Sequence, residues 1–85
     1  ANQYYFQGLA RMNTGHWQEA EAPLRKAVEI WPREANFHQA LGMALRRLGK
    51  DDEARRELEI ALRLNPASSA RQQLNEIERG IPAAR

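Results

Sequence analysis

Apolar residues recur along this chain at helical rather than strand spacing. Ala40, Leu41, Ala44, Leu45 and Leu48 follow i, i+1, i+4, i+5, i+8 spacing, which is one apolar stripe of a helix, and Gly49 supplies its C-terminal stop. Asp51 or Asp52 can cap the next helix, with Glu53 in its first turn favouring the dipole. That second helix offers Ala54, Leu58, Ala61, Leu62 and Leu64 for burial. It ends before Pro66, because the residue preceding a proline avoids the helical region. The N-terminal part repeats this layout, with a helix from about Asn2 to Thr14, then Gly15, a helix from about Trp17 to Ile30, then Pro32. Pro23 falls inside the second of these helices, where it removes a backbone hydrogen bond and is expected to kink the helix or delay its start. A fifth helix is predicted over residues 67–79. Ser68 or Ser69 caps it, Ala70, Leu74 and Ile77 form its short stripe, and Gly80 and Pro82 stop it.

The two pairs are copies of one unit. A shift of 34 residues places Gly8 on Gly42, Ala10 on Ala44, Gly15 on Gly49, Glu19 on Glu53, Ala20 on Ala54, Leu24 on Leu58, Ala27 on Ala61 and Pro32 on Pro66, and Asn2 on Asn36. Repetition at a fixed period of this size marks a stacked-repeat architecture. Gly8 and Gly42 lie mid-helix, where glycine costs about 1 kcal/mol relative to alanine, so a repeated glycine there predicts a close helix–helix approach. The expected organisation is a first repeat over 1–34, a second over 35–66, a capping helix over 67–80 and a loose tail over 81–85.

Gly8, Ala20, Ala27 and Pro32, then Leu41, Gly42, Ala54, Ala61 and Pro66, resemble the tetratricopeptide repeat signature over residues 1–66. Tyr4 and His38 stand where that family usually has Trp, Gln7 where it has Leu, and Arg11, Leu45, Leu24 and Leu58 where it has an aromatic. The resemblance implies an all-α fold of five helices, with antiparallel hairpins stacked in a right-handed superhelix and the first helix of each hairpin lining a concave face. Members that clamp a chaperone's terminal carboxylate use Lys, Asn and Arg at fixed places; here those places hold Tyr5, Leu9, Ala40, Ser69 and Gln73, so that clamp is absent. Two repeats are fewer than the three or more that usually make a stable stack. Tyr4, Tyr5 and Phe6 also lack a preceding repeat to cover them, so the chain is expected to be part of a longer array or to self-associate.

Composition narrows the function without naming it. A chain of 85 residues suits one domain and leaves no room for a deep cleft between two. Basic and acidic residues number 13 and 11 and are interspersed, whereas a nucleic-acid binder concentrates Lys and Arg on one face. There is no cysteine, so disulfides and thiolate metal sites are excluded. No apolar run approaches the ~20 residues that span a membrane, so membrane insertion is not expected. His16 and His38 lack neighbours that would complete a metal site. Ser68, Ser69, His16 and Asp51 have the types for a triad but no nucleophile-elbow context, and no Gly-rich phosphate loop is present. No cofactor, metal or catalysis is therefore expected. Trp17 is expected between the two helices of its own hairpin, and Trp31 and Phe37 either staple the turn between repeats or form an exposed patch. Arg55, Arg56 and Glu57 are expected on a solvated convex face.

Once the apolar stripes are assigned to packing, the concave positions left are Asn2, Tyr5, Leu9 and Met12 on the first helix, Asn36, Gln39, Met43, Arg46 and Arg47 on the third, and Gln73 on the capping helix. The set suits a peptide. Tyr5, Leu9, Met12 and Met43 give adaptable apolar contact, Asn2, Asn36 and Gln39 can bond an extended backbone, and Arg46 and Arg47 can pair with a carboxylate. The expected function is a protein–protein interaction scaffold holding a partner's peptide segment in the groove. The alternative is a self-assembly module whose N-terminal helix edge mediates homo-oligomerisation.

Overall fold

A computed structural model describes residues 3–81. Five helices follow one another: α1 (Gln3–Asn13), α2 (Trp17–Ile30), α3 (Ala35–Arg47), α4 (Asp51–Leu64) and α5 (Ala70–Glu78). α1 pairs with α2 and α3 with α4 as hairpins; α2 packs on α3, and α5 packs on α4.

The core is small-residue packing with a few leucines pressed into it. Ala20, Leu24, Ala40, Leu41, Ala44, Leu45 and Ala54 form one buried cluster across both hairpins. Leu58, Ala61, Ala70 and Leu74 form a second under α5. The alanines allow helix axes to approach closely, and the glycines allow more. A methyl group added at Gly8 would stand 2.5 Å from Leu24 Cγ. One added at Gly42 would stand 2.7 Å from Leu58 Cγ and 3.3 Å from the Ala54 carbonyl oxygen. Leu24 and Leu58 are both fully buried, and they occupy equivalent places 34 residues apart. The expected close approach at the mid-helix glycines is therefore a leucine seated on bare backbone, once in each hairpin.

The ends of the helices follow local chemistry. After α3, Gly49 takes φ +80°. Its N–H bonds the Arg46 carbonyl at 3.1 Å and Lys50 N–H bonds that of Leu45 at 2.9 Å, the paired pattern of a glycine-terminated helix. α1 and α5 end in the same pattern at Gly15 and Gly80, so α5 is built like the first helix of a hairpin. α2 and α4 instead stop ahead of Pro32 and Pro66, where Trp31 and Asn65 N–H groups bond back to Ala27 and Ala61.

Four local expectations need correction. Pro23 does not delay α2, which runs unbroken from Trp17; the missing N–H removes one bond inside a helix held on both sides. Asp51 and Asp52 are not caps. Lys50 holds the cap position with no side-chain bond, so the two acids act through the dipole in the first turn. α5 starts at Ala70 rather than 67, because a turn at Asn65–Ser68 takes up the intervening residues; Asn65 accepts from Ala67 N–H and Ser68 Oγ from Ala70 N–H, each at 3.1 Å. Finally, Arg56 is exposed but Arg55 and Glu57 are half-buried. Glu57 reaches His38, whose Nδ1 lies 2.7 Å from the carboxylate and whose Nε2 lies 2.7 Å from the Pro32 carbonyl oxygen. That buried ring ties α3, α4 and the turn between hairpins.

A charged relay joins the hairpins on one side. Arg25 bonds Glu21 at 2.7 Å within α2 and Glu53 at 2.8 Å on α4, and Lys50 bonds Glu21 at 3.0 Å. Burial opposes ionisation of the Glu21 carboxyl, but the donors Lys50 and Arg25 outweigh it and hold its pKa below the ordinary value of 4.5. Glu53 and Glu21 in turn hold Arg25 more firmly protonated.

Two outcomes follow. Gly42→Ala should destabilise the chain in a urea melt by roughly 1–2 kcal/mol, because overpacking against Leu58 exceeds the gain of about 1 kcal/mol in helix propensity. In a Leu58→Ala background the same change should become neutral or stabilising, since the clash is gone; equal losses in both backgrounds would show that the glycine is not needed for the leucine. Acid melts should reveal Glu21. A depressed carboxylate pKa contributes stability that is present above about 4.5 and is lost as pH falls through the folded value. Replacing it in Glu21→Gln should flatten that part of the stability–pH curve, and a curve of unchanged steepness would assign the acid dependence elsewhere.

Candidate functional site

The first helices of the hairpins and α5 supply the expected groove residues at helical intervals. On α1 these are Tyr5, Leu9 and Met12, on α3 Asn36, Gln39, Met43, Arg46 and Arg47, and on α5 Gln73. Asn2 lies outside the described residues.

The α1 residues are half-buried and partly engaged in packing. Leu9 and Met12 rest on the core cluster. Tyr5 stacks on Phe37 with ring centroids 4.6 Å apart, and Phe37 meets Trp31 edge-on at 5.9 Å. Phe37 is buried and Trp31 half-buried, so this aromatic run staples the turn between hairpins; it is not an exposed patch.

On α3 the polar residues divide into two kinds. Gln39 and Arg46 serve the chain itself. The Gln39 amide oxygen accepts from Ser68 Oγ at 2.7 Å and its amide nitrogen donates to Ser69 Oγ, which anchors the entry to α5. The Arg46 side chain is only 5% exposed. Its Nη1 donates to the Gln73 amide oxygen at 2.6 Å and to the Glu76 carboxylate at 2.7 Å, and its Nη2 to the Ile81 carbonyl oxygen at 2.8 Å. A guanidinium so surrounded holds α5 and the residue beyond it onto α3, and it has little left to offer a partner. Asn36, Met43 and Arg47 have no such bonds among the described residues; Asn36 is exposed, and Met43 and Arg47 are half-buried.

The structure gathers Met43, Arg46, Arg47 and Gln73 around one hollow of about 280 Å³ between α3 and α5. Trp17, Gln72 and Glu76 complete its lining. Trp17 opens α2, packs half-buried against the core cluster, and also lies under the Arg47 guanidinium, 4.4 Å from ring centroid to Cζ, a cation–π contact between hairpins. One signal in the chain marks this residue. Its equivalent 34 positions on is Asp51, so the indole occurs in the first unit alone. Asn36 and the three α1 residues do not line this hollow.

Hollows of about 360, 460 and 510 Å³ are also present, the last sharing Gln72 and Glu76 with the one of about 280 Å³. The 460 Å³ hollow is walled by Gln7, Arg11, Thr14 and Glu19, the 510 Å³ one by Ser68, Arg71, Asn75 and Arg79. Of these hollows, the 280 Å³ one brings an indole, a thioether and a charged donor together, within a lining of mostly polar residues.

Other chemistry is not assembled. Among the described residues no three His, Asp or Glu side chains gather as metal ligands, and no helix is long and apolar enough to cross a membrane. His16 bonds Thr14 at 2.7 Å in the turn before α2.

Residues 35–68, the second hairpin and the turn after it, match the sequence model of the tetratricopeptide repeat family. No curated protein and no solved structure matches the chain.

Removing the Arg46 side chain should loosen the cap and little else. In Arg46→Met, amide hydrogen exchange should accelerate across Ala70–Glu78 while the α1–α2 hairpin keeps its protection. Uniform acceleration over all five helices, or none, would show that this cluster does not hold α5 specifically.

Proposed function

We propose that the chain is a repeat protein of the tetratricopeptide type, as the match of its second hairpin supports, and that it holds a peptide segment of a partner protein along the face formed by α1, α3 and α5. The family is one of non-catalytic protein–protein interaction scaffolds, and we read this member as having no reaction of its own. The observation that carries the groove reading is the hollow between α3 and α5, where Met43, Arg47 and Trp17 present apolar and charged groups that no internal hydrogen bond uses. Asn36 on the same helix, with Tyr5, Leu9 and Met12 on α1, extends the surface; Gln39, Arg46 and Gln73 act as its frame. Asn2 belongs to the proposed set by its repeat equivalence with Asn36.

Self-assembly through the outer edge of α1 is the weaker reading, although Phe6 is 62% exposed there. The positions that bury Phe37, Leu41 and Leu45 on α3 are held on α1 by Gln3, Gln7 and Arg11, all exposed. Packing a second copy on that edge would desolvate the Gln3 and Gln7 amides and the Arg11–Glu19 ion pair, which costs free energy instead of gaining it.

The test is a peptide-display selection on the folded chain, run beside a Met43→Glu, Arg47→Glu variant shown by circular dichroism to keep its helices. Peptides enriched by the parent and lost by the variant are expected. Equal enrichment on both would place binding elsewhere, and enrichment on neither, together with a sedimentation coefficient that falls on dilution, would favour assembly.

A further inference from the structure

We propose that the hollow framed by the start of α2, the end of α3 and α5 is a socket for an acidic side chain, Asp or Glu, of the bound segment, with Arg47 as its counter-charge. This assignment rests on the groove reading above and adds the chemistry of the ligand.

Three observations converge on it. First, the charges in the hollow do not balance. Arg46 is paired with Glu76 at 2.7 Å, which leaves Arg47 as a surplus cation. Arg47, like several surface arginines, has no carboxylate within 4.0 Å among the described residues, and of these only it lines this hollow. Second, what Arg47 does touch is an indole. The ring attracts the cation without accepting a hydrogen bond at oxygen, so the five guanidinium donors remain for a ligand. An arginine half-buried beside an aromatic ring is also partly desolvated, which makes an incoming carboxylate worth more than at an exposed site. Third, the hollow already accommodates an acid of the chain itself. Glu76 is among its lining residues, and its carboxylate accepts from Arg46 Nη1, which also donates to the Gln73 amide oxygen.

The dimensions suit one side chain. About 280 Å³ falls just below the range of roughly 300–1,000 Å³ typical of small-molecule sites. Met43 and Trp17 provide an apolar wall for the methylene stem of the acid or for an apolar neighbour in the peptide. The internal precedent is a side-chain carboxylate, so a side chain of the partner, not its chain terminus, is the ligand.

Peptides enriched by the folded parent chain are synthesised with acetylated and amidated ends, so that the only carboxylates are side chains. They are titrated by fluorescence polarisation against the parent and against Arg47→Gln and Arg47→Glu. The enriched sequences are expected to share one acidic position. Replacing that acid by its amide, or Arg47 by Gln, should each weaken binding about ten- to a hundredfold, as loss of a charged hydrogen bond does. The two changes together should weaken it no more than either alone. Lys at the acidic position should recover affinity for Arg47→Glu. Groove-binding peptides with no shared acid, or losses that multiply when combined, would overturn the assignment while leaving the groove reading intact. A free-acid peptide that binds well with its acidic side chains neutralised would move the anion to a chain terminus and overturn it as well. If no peptide enriches on the parent at all, the groove reading itself fails and the socket goes with it.

Discussion

Leu24 and Leu58 each lay a fully buried side chain on a helix backbone left bare by glycine, and the rest of the molecule depends on that contact. Burying a leucine contributes about 1.5–3 kcal/mol, a large share of what a domain of this size can muster. The contact also sets distance. With Gly8 and Gly42 in place the two helices of each hairpin approach closely, and the alanine rows Ala20, Ala27, Ala54 and Ala61 close the remaining space. A leucine fits at this place because its branch point sits over the missing Cβ.

Close hairpins then decide what the next layer can be. α2 covers α3, and α4 together with Arg46 holds α5. Arg46 shows how a buried charge is tolerated. It receives a carboxylate, an amide oxygen and a backbone carbonyl, and a guanidinium left without them would be strongly destabilising. That arrangement makes the capping helix part of the wall of the proposed groove, so the proposed binding surface and the stability of the C-terminal end are coupled through one residue. Its neighbour Arg47 is held by a ring face alone, which leaves its donors available. Two consecutive arginines of one helix therefore have different work, set by which side of α3 faces α5 and which faces the start of α2.

Much of the fold was legible in the chain because it is written twice. Helix type, the hairpin order, the mid-helix close approach and the glycine and proline stops all follow from local rules applied to a repeated pattern: Gly49 and Pro66 end helices by backbone geometry alone. The misjudged places lie where tertiary support outweighs a local rule. Pro23 sits in a helix that packing keeps continuous, and Glu57 is drawn from a solvated run to a buried histidine on the neighbouring helix.

The site was legible only as a face. Helix periodicity assigned Gln39, Met43, Arg46, Arg47 and Gln73 to neighbouring positions, because a period of 3.6 residues determines which side chains share a side. It could not say which of them the chain would use for itself. Gln39 is tied to Ser68 some 29 residues away and Arg46 to Ile81 some 35 residues away, partners that no spacing along one helix reveals. Trp17 entered the site by the same route, through packing between hairpins. The sequence by itself determined the helices, their repeat and the faces they could present; the tertiary structure decided which polar groups are satisfied internally and which are left to bind, because hydrogen bonds and ion pairs depend on distances of about 3 Å that only the packed chain sets.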